Sequence, residues 1–302
     1  MNLLDHRLIV VVGKGGVGRT TCSAALGLAA ARLGKRVLLV ELGGTDHLTR
    51  ALGVPPTGFT PRRVAEGVDA MSLTALDCLD DFGSRKLRLS RVVALVLRSR
   101  VIQAFIDAIP GLHDLLQLGK IENLLMEPML SDEHYDLCVL DAPATGHGLT
   151  LLAAAGSMRE MTRVGPFADL AGVIETFLSG PQCAVVPVTV LEELPVQETA
   201  EMLAALQLEG FTCAALVANR VPAPSLPARP AWHELRPRLE GAVPAAVLAM
   251  ADAEHAAAQR RASALERLGA TSAAPVWALP NSDTPVPARA LADALVPLLE
   301  GA

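Results

Sequence analysis

The sequence predicts an α/β fold: a doubly wound, mostly parallel sheet with a helical insertion, in one domain spanning 1–302. Three observations point there. Continuous apolar runs recur along the chain without period-two alternation, as expected of parallel strands covered on both faces. Helical stretches lie between them, as parallel crossovers require. The first run passes through a glycine-rich loop directly into a helix.

In chain order, "RLIVVVG" (7–13) reads as a buried strand and "TTCSAALGLAAARLG" (20–34) as a helix that Gly34 stops. Further strands are read at "KRVLLVEL" (35–42), "YDLCVLDA" (135–142), "QCAVVPVTV" (182–190), "TCAALVANR" (212–220) and "APVWALP" (274–280). A sheet of about seven or eight strands is expected, its first strand central and beside the one ending at Asp141. "LPVQETAEMLAALQLEG" (194–210) is a crossover helix. The stretch from about 55 to 133 breaks the rhythm: it has no clear strand, and it carries helical patterning at 89–109 and 112–130. It is read as a helical insertion subdomain. "VPAPSLPARPAW" (221–232) is a proline-spiced surface loop.

Composition narrows the function classes. With 51% hydrophobic and 19% charged residues, the 302-residue chain fits a globular protein with a full core. A net charge of −6 argues against nucleic acid as a partner. No apolar run approaches the roughly 20 residues that span a bilayer, and the short apolar start runs straight into the glycine loop, so a cytoplasmic location is expected. The five cysteines are scattered singly and read as buried small hydrophobes, not metal ligands. Lysine is scarce: only Lys14, Lys35, Lys86 and Lys120.

The chemistry is concentrated in "GKGGVGRTT". Gly13, Lys14, Gly15, Gly16, Val17, Gly18, Arg19 and Thr20 match G-x-x-x-x-G-K-[ST] at every fixed position except the lysine, where Arg19 stands, and Thr21 follows directly. Backbone N–H groups in such a loop close around phosphate oxygens, and the helix N-terminus adds its dipole. Thr20 is placed to ligate Mg²⁺. Arg19 keeps the charge but replaces a compact ammonium with a wide planar fork. Since Arg19 supplies the local cation, Lys14 has no evident use within its own site, yet it is one of four lysines retained.

The second lysine of "GKGGVG" and the stretch "VLDAPATGHGLTLL" (139–152) carry a family resemblance. The chain resembles the ArsA and guided-entry (tail-anchored protein targeting) ATPases, P-loop NTPases with a deviant Walker A loop, in a bacterial branch often encoded as pairs. "VLEELPVQETAEM" (190–202) is similar to the family's P-E-x-x-x-x-x-E-T segment, with Leu191 at the usual proline, and "IPGLHDLLQLGKI" (109–121) looks like a run of the paired branch. The resemblance implies ATP and Mg²⁺ as cofactors. It places Thr20 and Asp141 on the metal, Asp141 as the Walker B carboxylate, and Asn219 with Pro280 beside the nucleotide's base. It also implies that Lys14 reaches a partner's nucleotide across a dimer interface. In this reading Lys14, Arg19 and Asp141 serve catalysis. Gly43 falls where the family's switch I aspartate orients water; Glu41 or Asp46 are candidate substitutes, Glu41 preferred because it leaves a strand's carboxyl end. Glu41 is equally readable as a solvated or dimer-facing charge. His147 is read as a locally bonded loop histidine.

Two functions fit. One is a dimeric ATPase, homodimer or heterodimer with a paralogous ATPase, coupling ATP binding and hydrolysis to a protein client or membrane partner. The other is a nucleotide-binding regulatory or scaffold subunit with weak or no hydrolysis, paired with a paralogue. Arsenite efflux is disfavoured by the lack of a cysteine cluster.

Overall fold

A computed structural model describes residues 2–86, 108–126, 134–143, 147–284 and 286–301. The expected helix at 89–109 lies almost entirely outside these residues, as do 127–130 at the end of the 112–130 helix, most of the basic run 84–91, and 144–146, the "ATG" before His147.

Eight strands form one sheet in the order β3-β4-β2-β5-β1-β6-β7-β8. The central β1 (Leu8–Val12) pairs in parallel with β5 (Leu137–Asp141) and β6 (Cys183–Val190). β2 (Val37–Leu42) lies between β5 and β4 (Val68–Leu73), and β7 (Leu216–Val221) and β8 (Val276–Pro280) extend the other wing, all parallel. Every residue of β1, β2, β4 and β5 is buried, which is why β1, β2 and β5 read as largely apolar runs.

Alternation then sorts β1 between two cores. Leu8, Val10 and Val12 face a layer formed by α3 (Ala75–Lys86), α4 (Leu112–Met126), α5 (His147–Met161) and α6 (Pro166–Ser179). Ile9 and Val11 face α1 (Arg19–Arg32), α2 (His47–Leu52) and α10 (Pro287–Glu300). A smaller cluster joins α7 (Glu193–Leu208) and the long α9 (Ala245–Thr271) around Val196, Leu203, Ala264 and Leu268. The short α8 (Trp232–Leu239) follows the surface loop after β7.

The expectation that 55–133 lacks a strand is corrected. β3 (Arg62–Ala65) and β4 form a hairpin at the sheet edge, with β3 the one antiparallel member among the described strands, closed by Glu66 and by Gly67 at φ 70°. "VDAMSL" conceals a buried strand because Asp69 interrupts its apolar pattern. Tertiary partners make Asp69 acceptable there: it accepts from Arg63 Nε at 2.5 Å and from the Tyr135 hydroxyl at 2.9 Å. The helices of this region cover one face of the sheet, and the hairpin belongs to the sheet itself.

Candidate functional site

The phosphate-type loop leaves the C-terminal end of β1 at the centre of the sheet, where strand order departs in both directions and α/β folds place ligands. Two glycines in it are sterically obligatory. A Cβ on Gly13 would lie 2.4 Å from the Val188 carbonyl of β6, and one on Gly18 would lie 2.3 Å from the Asn219 amide. Gly18 also sits at φ 93°, as the N-cap of α1. Gly18→Ala is therefore expected to cost about 1–3 kcal/mol, from strain and displacement of Asn219, read as a lower denaturation midpoint.

β1 and β5 run in register, Val11 opposite Asp141, which brings the loop and the second motif together. The Thr20 hydroxyl donates to Asp141 Oδ2 at 2.6 Å, and the Ser23 hydroxyl approaches Asp141 Oδ1 at 3.2 Å. Thr20 and Ser23 are three apart and share a helix face. That spacing would have identified Ser23, which the sequence reading missed. Burial pushes the Asp141 carboxyl above its ordinary range; the Thr20 bond, the Arg19 charge and the Ser23 bond oppose this, and the Glu41 charge adds to it. A hydroxyl and a buried carboxylate in contact form a hard oxygen donor set that suits Mg²⁺, which keeps several of its waters and takes few protein ligands. Among the described residues no group of three or more His, Cys, Asp or Glu could hold a metal by itself.

Arg19 does not point into open solvent. It is buried, and its Nη1 donates to the Ala142 and Pro143 carbonyls, the latter at 2.8 Å. Burial lowers its pKa, and the Asp141 charge opposes that. The wide fork thus ties the loop to the segment that follows Asp141. Lys14 is half exposed and pairs with Glu198 of α7 at 3.1 Å. A cavity of about 210 Å³ beside them is lined by Gly13, Lys14, Gly148, Glu198 and Met202, among others. Gly15 and Gly16 are exposed at the loop tip, Val17 is buried, and Thr21 is half-buried in the first turn of α1.

Glu41 lies opposite Asp141 in the β2–β5 register and is only 4% exposed, so it is neither a solvated nor a surface charge. Its carboxylate accepts from the Thr45 hydroxyl and from the Leu48 backbone N–H at 2.6 Å, holding the loop into α2. Gly43 sits in that loop at φ 91°, exposed, and a Cβ there would meet nothing within 4 Å. Asp46, also left-handed at φ 54°, is the N-cap of α2.

Asn219 is buried at the end of β7, its amide donating to the Val17 carbonyl at 2.9 Å, so it braces the loop from the side. Pro280 is exposed at the end of β8, opposite Val221. The side chain of His147, at the start of α5, lies outside the described residues. Cys22, Cys78, Cys138 and Cys183 are buried and free; burial pushes the Cys22 and Cys78 thiols up to about 12. Protonated thiols are poor soft-metal ligands. A second cavity of about 320 Å³, lined by Cys78, Phe82, Leu116, Lys120 and Leu170 among others, opens between α3, α4 and α6 and shares no residue with the loop. No described helix is long and apolar enough to cross a membrane.

Comparison with known proteins agrees with this geometry. A family model for anion-transporting ATPases matches residues 6–165. The chain is 31% identical to ATPase BagA of Mycobacterium tuberculosis over 256 residues, 79% of this chain and 71% of the relative. It is 28% identical to a putative arsenical pump-driving ATPase of Aquifex aeolicus over 149 residues, 48% of each chain. It is 27% identical to an ATPase ASNA1 homologue of Paramecium tetraurelia over 157 residues, 50% of this chain and 45% of that one. With its loop on β1, its carboxylate on β5 and more than half its length matched, the chain belongs to the anion-transporting (ArsA-type) ATPase family.

Proposed function

We propose that this chain is a dimeric, ATP-hydrolysing member of its family, a single ATPase domain whose nucleotide cycle drives partner or client binding by the helical layer. The observation that carries the reading is the 2.6 Å contact between Thr20 and Asp141 at the mouth of the loop. In this reading the backbone of Gly13–Thr21 cradles the phosphates, and Thr20 with Asp141 holds Mg²⁺, directly or through water. The metal would offset charge on the transferring phosphoryl group. Asn219, holding the Val17 carbonyl, and Pro280 flank the base, and Lys14 serves the partner's nucleotide.

Hydrolysis depends on placing water and compensating charge, and this chain is sparing with both. Arg19 is engaged by carbonyls, and both oxygens of Glu41 accept from its own loop. A role for Glu41 in orienting water requires that loop to open. The same features favour the second reading, a subunit that binds nucleotide and hydrolyses little beside a paralogue. Slow basal turnover is expected, and Gly43→Asp is expected to raise it, because a side chain there has free space and aspartate tolerates positive φ better than most residues. Phosphate release, measured alone and mixed with a paralogous ATPase, tests this. Fast wild-type turnover, unchanged in Gly43→Asp and lost in Glu41→Gln, would assign the water to Glu41. No turnover in either protein or in the mixture would leave the binding-subunit reading.

A further inference from the structure

β7 ends on Asn219, Arg220 and Val221, and its pairing with β8 loses register between Ala218 and Val221. At that irregularity Arg220 takes φ 57°. An L residue other than Gly, Asn or Asp is uncommon there, and irregularities of this kind serve to re-aim side chains next to active sites. Strain of this sort persists where the surrounding structure enforces it.

The side chain is aimed back at the phosphate loop. Arg220 Nη2 lies 4.0 Å from the position of a Cβ on Gly18, the N-cap of α1. Arg220 is exposed, and among the described residues no hydrogen bond or ion pair holds its guanidinium. Arg19, at the lysine position of the loop, spends its Nη1 on two carbonyls.

Resting on the nucleotide-binding reading above, we propose that Arg220 is a second cation of the phosphate site, contacting the phosphate chain of a bound nucleoside di- or triphosphate. It supplies from β7 part of what a lysine at position 19 would supply from the loop. Contact is with phosphate rather than base, because the guanidinium stands at the N-cap where loop N–H groups gather.

The test is calorimetric titration of ADP, ATP and adenosine into wild type, Arg220→Gly, Arg220→Gln and Arg220→Lys. Glycine accepts φ 57° without strain, so Arg220→Gly should melt no lower than wild type. It and Arg220→Gln should bind ADP and ATP about tenfold more weakly, the scale of one partly exposed charge-assisted contact. Arg220→Lys should keep most of the affinity, adenosine should bind all four alike, and the ADP deficit should shrink as salt rises. Unchanged ADP affinity in Arg220→Gly would overturn this assignment alone, as would an equal loss for adenosine, which would place the side chain on the base. A wild type that binds no ADP would overturn the nucleotide reading and this assignment together.

Discussion

Asp141→Asn is expected to lose Mg²⁺-dependent nucleotide affinity and hydrolysis, and to melt higher than wild type at neutral pH when ligand-free. The first effect follows from the donor set, since asparagine keeps the shape but not the charge that draws a divalent cation beside Thr20. A loss of roughly 10- to 100-fold in metal-dependent affinity is the scale for disturbing such a site. The second follows from the raised Asp141 carboxyl, whose largest cause is burial. An acid whose folded pKa exceeds its unfolded value, about 3.9, takes up a proton on folding. Its stabilising contribution is full below the unfolded value and is lost as pH rises through the folded one. Above the unfolded value, burying the carboxyl is a net cost, which asparagine avoids. The variant's melting midpoint is therefore expected to lie above that of the wild type. The advantage should fade as pH falls toward 4. Melting curves from pH 4 to 8, with nucleotide titrations with and without Mg²⁺, check both halves. A lower-melting variant that retains Mg²⁺-dependent binding would refute the assignment.

Lys14→Ala is expected to abolish turnover, on the order of 10³-fold or more by the scale of cations supplied in trans to phosphoryl transfer, while nucleotide affinity and melting temperature barely move. The Lys14–Glu198 pair is a partly exposed ion pair, 52% and 27% by side chain. Such pairs contribute about 0–1 kcal/mol, so in the dimer proposed above the contact can be given up for the phosphates of the partner's nucleotide. Glu198 is then the resting partner of Lys14, and Glu198→Gln should free it and raise the dimer fraction at low ATP. Sedimentation with and without MgATP, alongside phosphate release, reads both variants. Unimpaired turnover in Lys14→Ala, or a monomer under every nucleotide condition, would remove the dimeric mechanism.

Much of this molecule was legible in its sequence because the signals were local. The apolar runs of β1, β2, β5 and β6 announce strands buried on both faces, those of β7 and β8 announce strands nearer the sheet edge, and Gly13 and Gly18 announce a loop with no room for a Cβ at those two positions. Pairing Thr20 with Asp141 needed only the motif spacing and a parallel sheet. What stayed hidden depends on contacts between residues far apart in the chain. The strand β4 was masked by Asp69, which only Arg63 and Tyr135 make tolerable in a sheet. Glu41 looked like a free carboxylate until the fold of its own loop satisfied both oxygens. Lys14 found Glu198, and Arg19 found the carbonyls after Asp141, because α7 and β5 converge on the loop from 184 and 123 residues away. Motifs record the backbone geometry a phosphate site needs, and that geometry is local. The partner each charge adopts at rest is chosen by burial and distance, and only the tertiary structure sets those.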